Sequence, residues 1–378
     1  MTWSVGAGLE GRGVIVTGAG ASRYLGRDEP MPLMRDWSTA LVKALASAPA
    51  MNLVQLTGLS PEMDGPAFEQ QLGKFLNERA AFAQVRDITA ESKNLSFGQF
   101  ATLNHEGALE TWWSTVDSQL EQAVDVIRGS LYSLFGEDRL DWNKASAAYS
   151  ELLQVLGIGR NTPWVYATTN YDSFGEIALE HLGFHTDWGE PPRVRQGSDR
   201  IVDVNGLVGE RLSRYVPVLH LHGRLGWYRR TDGNGSTGPY AISTTQHDPG
   251  YGIPIVMLPN PVKPYESDDV IGPLWRQFGE ALERAKRVLV MGHSLNDEQL
   301  VRLLLENVEP QTRIGVTVLP SAKTWEETDP GSQSVVDTLQ SRLPGAKPIK
   351  LRFGASLEPV QPQISDWMAH LGSLGAIE

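Results

Sequence analysis

The chain has 378 residues, 41% hydrophobic and 21% charged, which fits one large α/β domain with an insertion or two modest domains. It has no cysteine, which excludes disulfides, thiolate nucleophiles and cysteine-ligated zinc; with eight scattered histidines, no metal is expected. A net charge of −12, from 45 acidic and 33 basic side chains, argues against nucleic acid as a direct partner.

The opening Met1-Thr2-Trp3-Ser4 lacks the basic-then-apolar layout of a secretion signal. No apolar run approaches the roughly 18 residues of a membrane span, so the expected location is cytoplasmic and the membrane is no partner. Val14-Ile15-Val16-Thr17 predicts a strand running straight into Gly18-Ala19-Gly20-Ala21-Ser22. An apolar strand ending in glycines is how a doubly wound nucleotide fold begins, and such a turn lets backbone N–H groups approach a pyrophosphate. The third glycine of the dinucleotide fingerprint is missing, so a tight structural turn explains the string equally well.

From 61 to 150 the pattern becomes helical. Phe68, Leu72, Phe75 and Leu76 step by three or four, as do Trp113, Val116, Leu120, Val124, Ile127, Leu131 and Leu134. The expected organisation is therefore one α/β domain over 1–60 and 151–378, with an all-helical insertion or lid over 61–150. Further short apolar runs follow at 164–168, 216–221, 253–258, 288–291, 314–319 and 349–353, with helical stretches over 269–287 and 296–307. This alternation predicts a Rossmann-like, mostly parallel sheet covered on both faces. Segments 189–214 and 239–252 are punctuated by Gly and Pro and read as loops.

Three strand ends carry polar groups where open α/β sheets bind ligands. Thr168-Thr169-Asn170-Tyr171-Asp172 follows the second strand. Asn170 suits a water or ribose hydroxyl and Asp172 an amide, although either also suits the N-cap of a following helix. Next come His220 and His222-Gly223, with both imidazoles on one face of their strand. His220 reads as a buried, hydrogen-bonded residue, and His222, at the strand end, as a general base. The basic run from Arg224 to Arg230 is broken by Leu225, Gly226, Trp227 and Tyr228 and reads as a hairpin face. Lastly, Gly292-His293-Ser294-Leu295-Asn296-Asp297 opens a helix that Asn296 or Asp297 caps, and it lacks the second glycine of a serine-nucleophile elbow.

Taken together and in this order, Gly18–Ser22, Thr169–Asp172, His222-Gly223 and Gly292–Asp297 resemble the sirtuin superfamily over about residues 11 to 355. The resemblance implies NAD as substrate. The turn formed by Gly18, Ala19, Gly20 and Ser22 would hold its pyrophosphate. Asn170 would align the nicotinamide ribose and an attacking water, flanked by Thr169 and Tyr171, and Asp172 would meet the nicotinamide carboxamide. His222 would be the general base, and Gly292 and Ser294 would contact the adenosine half. The chain departs from protein-deacylating sirtuins in having no cysteines for their zinc module. It also shows 255–264 in place of their peptide-pairing segment.

That pattern resembles zinc-free bacterial sirtuin-like effectors of anti-phage defence. It implies an NAD hydrolase releasing nicotinamide and ADP-ribose, acting as a homo-oligomer beside a companion defence protein: an ATPase, a nucleotide-processing enzyme or a sensor subunit. The alternatives are an NAD-dependent deacylase, an ADP-ribosyl transferase, or a non-catalytic subunit that senses NAD or ADP-ribose. The 11 tryptophans are candidates for contacts within an oligomer.

Overall fold

The computed structural model describes residues 12–22, 25–29, 31–48, 53–92, 106–155, 158, 163–189, 200–208, 215–229, 239–242, 248–259, 265–293, 295–309, 312–318, 337, 341 and 347–350. At its centre lies β1 (Arg12–Thr17), whose Val14, Ile15 and Val16 are all buried. A strand with no polar face is stable only when both sides are covered. β2 (Trp164–Thr168), buried at every residue, pairs with β1 on one side, and β9 (Ala285–Met291) pairs on the other. Beyond β2 lie β5 (Val216–His220) and β3 (Thr186–Asp187). Beyond β9 lie β10 (Arg313–Val318) and β11 (Lys347–Lys350). The order is β11-β10-β9-β1-β2-β5-β3, and every pairing is parallel. The chain steps outward from β1 in one direction and then returns to β1's other side. The β1/β9 boundary is therefore the topological switch point, beyond whose carboxyl end such folds open a crevice.

The sheet is covered by α7 (Phe174–His181), α8 (Ile271–Glu283) and α9 (Glu298–Asn307). Along α8, Ile271, Leu274, Trp275, Phe278 and Leu282 recur at helical spacing and are all buried. Burying a side chain such as Phe278 contributes about 1.5–3 kcal/mol. The helix starts where Asp268 Oδ1 accepts from Val270 N at 2.9 Å and Ile271 N at 2.8 Å. It ends four residues before the boundary expected at 287, because Ala285 onward is needed as the rung of β9 beside β1.

Between β1 and β2 run α2 (Met34–Ser47), α3 (Leu53–Thr57), α4 (Gly65–Ser92), α5 (Glu106–Phe135) and α6 (Trp142–Val155). Phe68, Leu72 and Phe75 of α4 meet Leu120, Val124, Ile127 and Leu131 of α5 in a second core. Trp37, Leu41 and Leu45 of α2 belong to this core too, and Trp37 Nε1 donates to Ser130 Oγ at 2.8 Å. α6 instead turns Ala145, Tyr149 and Leu153 into the core of the parallel sheet. Among the described residues α2, α3, α4 and α5 share this second core and form a helical unit, while α6 packs on the first. Five tryptophans considered for contacts between copies, Trp37, Trp164, Trp188, Trp227 and Trp275, lie inside these two cores.

A second sheet lies between the two cores. It joins β4 (Arg200–Ile201), β7 (Tyr240–Ala241), β6 (Gly223–Arg229) and β8 (Ile253–Val256) in the order β4-β7-β6-β8, all antiparallel. This corrects three expectations. Segments 189–214 and 239–252 contribute strands as well as loop, and the run at 253–258 pairs with β6 and not with the parallel sheet. Strands of two residues carry no readable alternation, so only β6 and β8 had a visible signal. β6 serves both cores, with Trp227 and Tyr228 facing opposite ways, and Gly226 at φ +90° sits where its register with β8 shifts.

Candidate active site

The carboxyl ends of β9, β1, β2 and β5 lie side by side, and the polar strings follow them. The turn after β1 and the turn after β9 interlock. Gly18 N donates to Met291 O and Gly20 N to Gly292 O, each at 2.9 Å. A Cβ on Gly18 or Gly20 would lie 2.8–2.9 Å from Gly292 O, and one on Gly292, at φ +58°, would lie 2.0 Å from Ala21 N. These glycines are therefore required first by each other, backbone against backbone. The four-residue helix α1 (Ala19–Ser22) carries the chain onward to Ser22.

β2 is pinned to β1 at its end, where Thr169 N donates to Thr17 O at 3.0 Å. Here Asn170, Ser22 and Asp172, all buried, form a chain of hydrogen bonds. Asn170 Nδ2 donates to Ser22 Oγ at 2.9 Å, and Ser22 Oγ donates to Asp172 Oδ2 at 3.2 Å. Asp172 Oδ1 accepts from Phe174 N at 3.1 Å, one residue ahead of the Ser173 N-cap of α7, while Oδ2 takes the Ser22 hydrogen bond. Burial pushes the Asp172 carboxyl up to about 7 against the pull of the Phe174 and Ser22 hydrogen bonds, and the charge of Glu176 adds to the rise.

His222 stands just past β5. Met257 N donates to its carbonyl at 2.7 Å, and Gly223, at φ +80°, leaves no room for a Cβ, which would sit 2.0 Å from Ile255 O. The close approach of β8 thus dictates the His-Gly pair. The imidazole Nε2 lies 2.9 Å from Asp297 Oδ2, and Tyr265 Oη donates to the same oxygen at 2.6 Å. Tyr265 is on a single turn of 3₁₀ helix, Tyr265–Ser267, and its ring stacks on the imidazole at 14° with centroids 6.0 Å apart. Tyr171 joins the helical unit to this site. Its ring packs edge-on against Trp37 and Phe135 and lies 6.4 Å from His222, and its hydroxyl donates to Met257 O at 2.7 Å.

His220 is buried against Glu176 of α7 at 2.7 Å, as the strand pattern suggested. The run from Arg224 lies in β6, paired antiparallel with β7 as a hairpin, but Arg224 itself is buried and not on an open face. Its Nε donates to Glu176 Oε1 at 2.9 Å, its Nη2 engages the same oxygen, and its guanidinium lies 4.6 Å over the Trp188 ring. A charged residue in a strand reads as exposed unless its buried partner is known, and that partner is 48 positions away. At the other end of β6, Arg229 pairs with Asp268 at 2.9 Å and with Asp269.

The site thus gathers Gly18, Gly20, Ser22, Asn170, Asp172, His222 and Gly292 at one edge of the sheet, with Ala19 and Thr169 on its turns. Ser294 lies outside the described residues. Sequence reasoning missed Tyr265, which stands in no periodic pattern, and saw Asp297 only as a possible helix cap. Among the described residues, no group of three or more His, Asp or Glu is placed to hold a metal ion, and no helix is long and apolar enough to cross a membrane.

No protein-family model matches the chain, and no curated protein does. Among solved structures it is similar to a Sir2 homologue in complex with NAD, at 12% identity over 97% of this chain and 91% of that one, with a TM-score of 0.38. It is also similar to a mutant Sir2 homologue bound to 2′-O-acetyl ADP ribose, at 16% identity, 97% and 94% coverage and a TM-score of 0.37. A third, a Sir2 homologue mutant bound to ADP ribose, shares 14% identity over 98% and 95% of the chains, again with a TM-score of 0.37. Scores this low carry no functional argument, which rests on the chain's own residues.

Proposed function

We propose that this site takes NAD as a substrate and hydrolyses its nicotinamide–ribose bond, giving ADP-ribose and nicotinamide without a metal. The observation that supports this best is the pairing, at neighbouring strand ends, of two different polar devices. One is the Asn170–Ser22–Asp172 chain, and the other is His222 backed by a carboxylate. The first suits a neutral carboxamide and a ribose hydroxyl, and the second suits taking a proton from water. The turn that leads from β1 into α1 lies at the carboxyl edge of the sheet, where a pyrophosphate would approach.

In this reading the adenosine half and pyrophosphate lie along Gly18, Ala19, Gly20 and Ser22, next to Gly292 and Ser294. Asp172 meets the carboxamide, and Thr169 and Tyr171 flank the ribose. The positive charge already sits on the pyridinium ring, so the C–N bond breaks with its electron pair returning to the ring nitrogen, and C1′ becomes cationic. Asn170 Nδ2 is held by Ser22, which leaves its carbonyl oxygen to orient one water toward C1′. The water oxygen bonds to C1′ and its proton passes to His222. The helical unit, touching the site through Tyr171, would act as the lid. Oligomer formation and a companion defence protein would supply the trigger.

The test is to incubate the purified chain with NAD, alone and with the products of neighbouring genes, and to follow nicotinamide release and product mass. Free ADP-ribose together with nicotinamide is expected. An ADP-ribosyl adduct or a deacylated peptide would move the assignment to a transferase or deacylase. Binding without release under every condition would make the chain an NAD or ADP-ribose sensor.

A further inference from the structure

We propose that Asp297 and Tyr265 are positioning residues for His222. They hold its ring with the hydrogen on Nε2 and the basic lone pair on Nδ1, and Asp297 balances the charge the ring gains on taking a proton. The proposal rests on the water-activating role given to His222 above.

Asp297 divides its two oxygens between two tasks. Oδ1 accepts from Gln299 N at 3.1 Å and Leu300 N at 3.2 Å, closing the first turn of α9, and Oδ2 meets His222 Nε2 and Tyr265 Oη. A carboxylate only accepts hydrogen bonds, so both of those partners must donate, and this fixes the tautomer. Burial, then the charge of Asp297, raises the Tyr265 hydroxyl far above its usual range, so it keeps its hydrogen and remains a donor. Trp275 of α8 packs on Tyr265 with centroids 4.5 Å apart and on His222 at 6.2 Å, which fixes the plane of the imidazole from a third element.

The loop that brings Asp297 over the sheet end is held in an uncommon shape. Leu295 has φ +58° with a fully buried side chain, and its N–H donates to His293 Nδ1 at 2.9 Å. A non-glycine residue persists in that region only where the surroundings over-determine it. A helix cap alone would not need this arrangement, since asparagine caps as well as aspartate. The charged or titratable groups acting on this cluster are Asp297 from α9, Tyr265 from the 3₁₀ turn, Tyr171 from the end of β2, and Glu69 of α4, whose charge reaches both tyrosines.

Because asparagine preserves the cap, Asp297→Asn separates positioning from folding. Its midpoint of thermal unfolding should stay in place while the amide N–H, facing Nε2, drives the imidazole hydrogen to Nδ1. The kcat for nicotinamide release should fall by roughly 100- to 10,000-fold with KM little changed. Tyr265→Phe keeps the stacked ring and should lose about tenfold in kcat. The ¹⁵N shifts of His222 report the tautomer directly. In the unaltered protein, hydrogen on Nδ1 would overturn the proposal whether or not any variant folds. A tautomer that moves in Asp297→Asn with undiminished kcat would overturn it too. If the unaltered protein carries hydrogen on Nε2 and Asp297→Asn moves it, yet NAD is never turned over, the tautomer control stands and the NAD reading is what fails.

Discussion

β5 leads to two histidines, His220 and His222, and each meets a carboxylate, Glu176 at 2.7 Å and Asp297 at 2.9 Å. What surrounds the carboxylate separates them. Glu176 is shared with the buried guanidinium of Arg224. Burial alone would push the Glu176 carboxyl up, but Arg224 and then His220 hold it below its usual range, while burial drives the His220 imidazole down and keeps it neutral. That cluster has its charges settled inside the core. The carboxylate beside His222 meets a tyrosine hydroxyl and helix-end amides at the edge of the sheet. A histidine–carboxylate contact does not by itself mark chemistry; the partner's remaining bonds and its place relative to the strand ends do.

The sharpest break of this comparison is a pair of alanine variants. His222→Ala should cut nicotinamide release by at least about 100-fold while unfolding stays within a few degrees of the parent. His220→Ala should do the reverse, losing about 2–4 kcal/mol through a cavity and a stripped hydrogen bond, with turnover per folded molecule kept. Side-by-side thermal unfolding and release assays decide it. Silent turnover at unchanged stability in His220→Ala would dissolve the distinction.

A second experiment contrasts Asp172, just before α7, with Glu176 within it, by pH. Asp172 has its folded value raised to about 7, so its contribution to stability is full below about 4 and is lost as pH rises through 7. Glu176, held low, contributes above its usual range and loses that contribution as pH falls. Denaturant unfolding of Asp172→Asn should therefore lack the fall between pH 4 and 7, a difference on the order of a few kcal/mol. The same variant should release nicotinamide more slowly. An unchanged slope would place the neutral-pH titration elsewhere. The smallest effect on stability is expected from Tyr171→Phe, which removes the hydrogen bond to Met257 O and should cost about 1 kcal/mol by denaturant unfolding.

β1, β2 and β5 were legible because their described residues are almost all buried and read as continuous apolar runs. α5 was legible through its apolar stripe, and α4 only through Phe68, Leu72, Phe75 and Leu76 in its first turns. β4 and β7 were not, because two residues cannot show a period. Of the candidate site, the glycine turns, Asn170, Asp172 and His222 were picked out by residue type at strand ends. The structure adds local reasons for some of them: Gly18, Gly20 and Gly292 pack on each other, and Asp172 accepts from Phe174 N. Tyr265 and the second task of Asp297 stayed hidden, since a contact spanning 75 positions leaves no local pattern.

The interlocked turns also furnish a clock. The amide of Gly20 belongs to the first strand's turn, yet its hydrogen is held by the carbonyl of Gly292 from a strand reached some 270 residues later. That proton can exchange with solvent only when the two turns part. Its exchange rate therefore reads the opening of the crevice at the switch point, one breath at a time, and anything that wedges between the turns or clamps them together will reset that rate before any product is made.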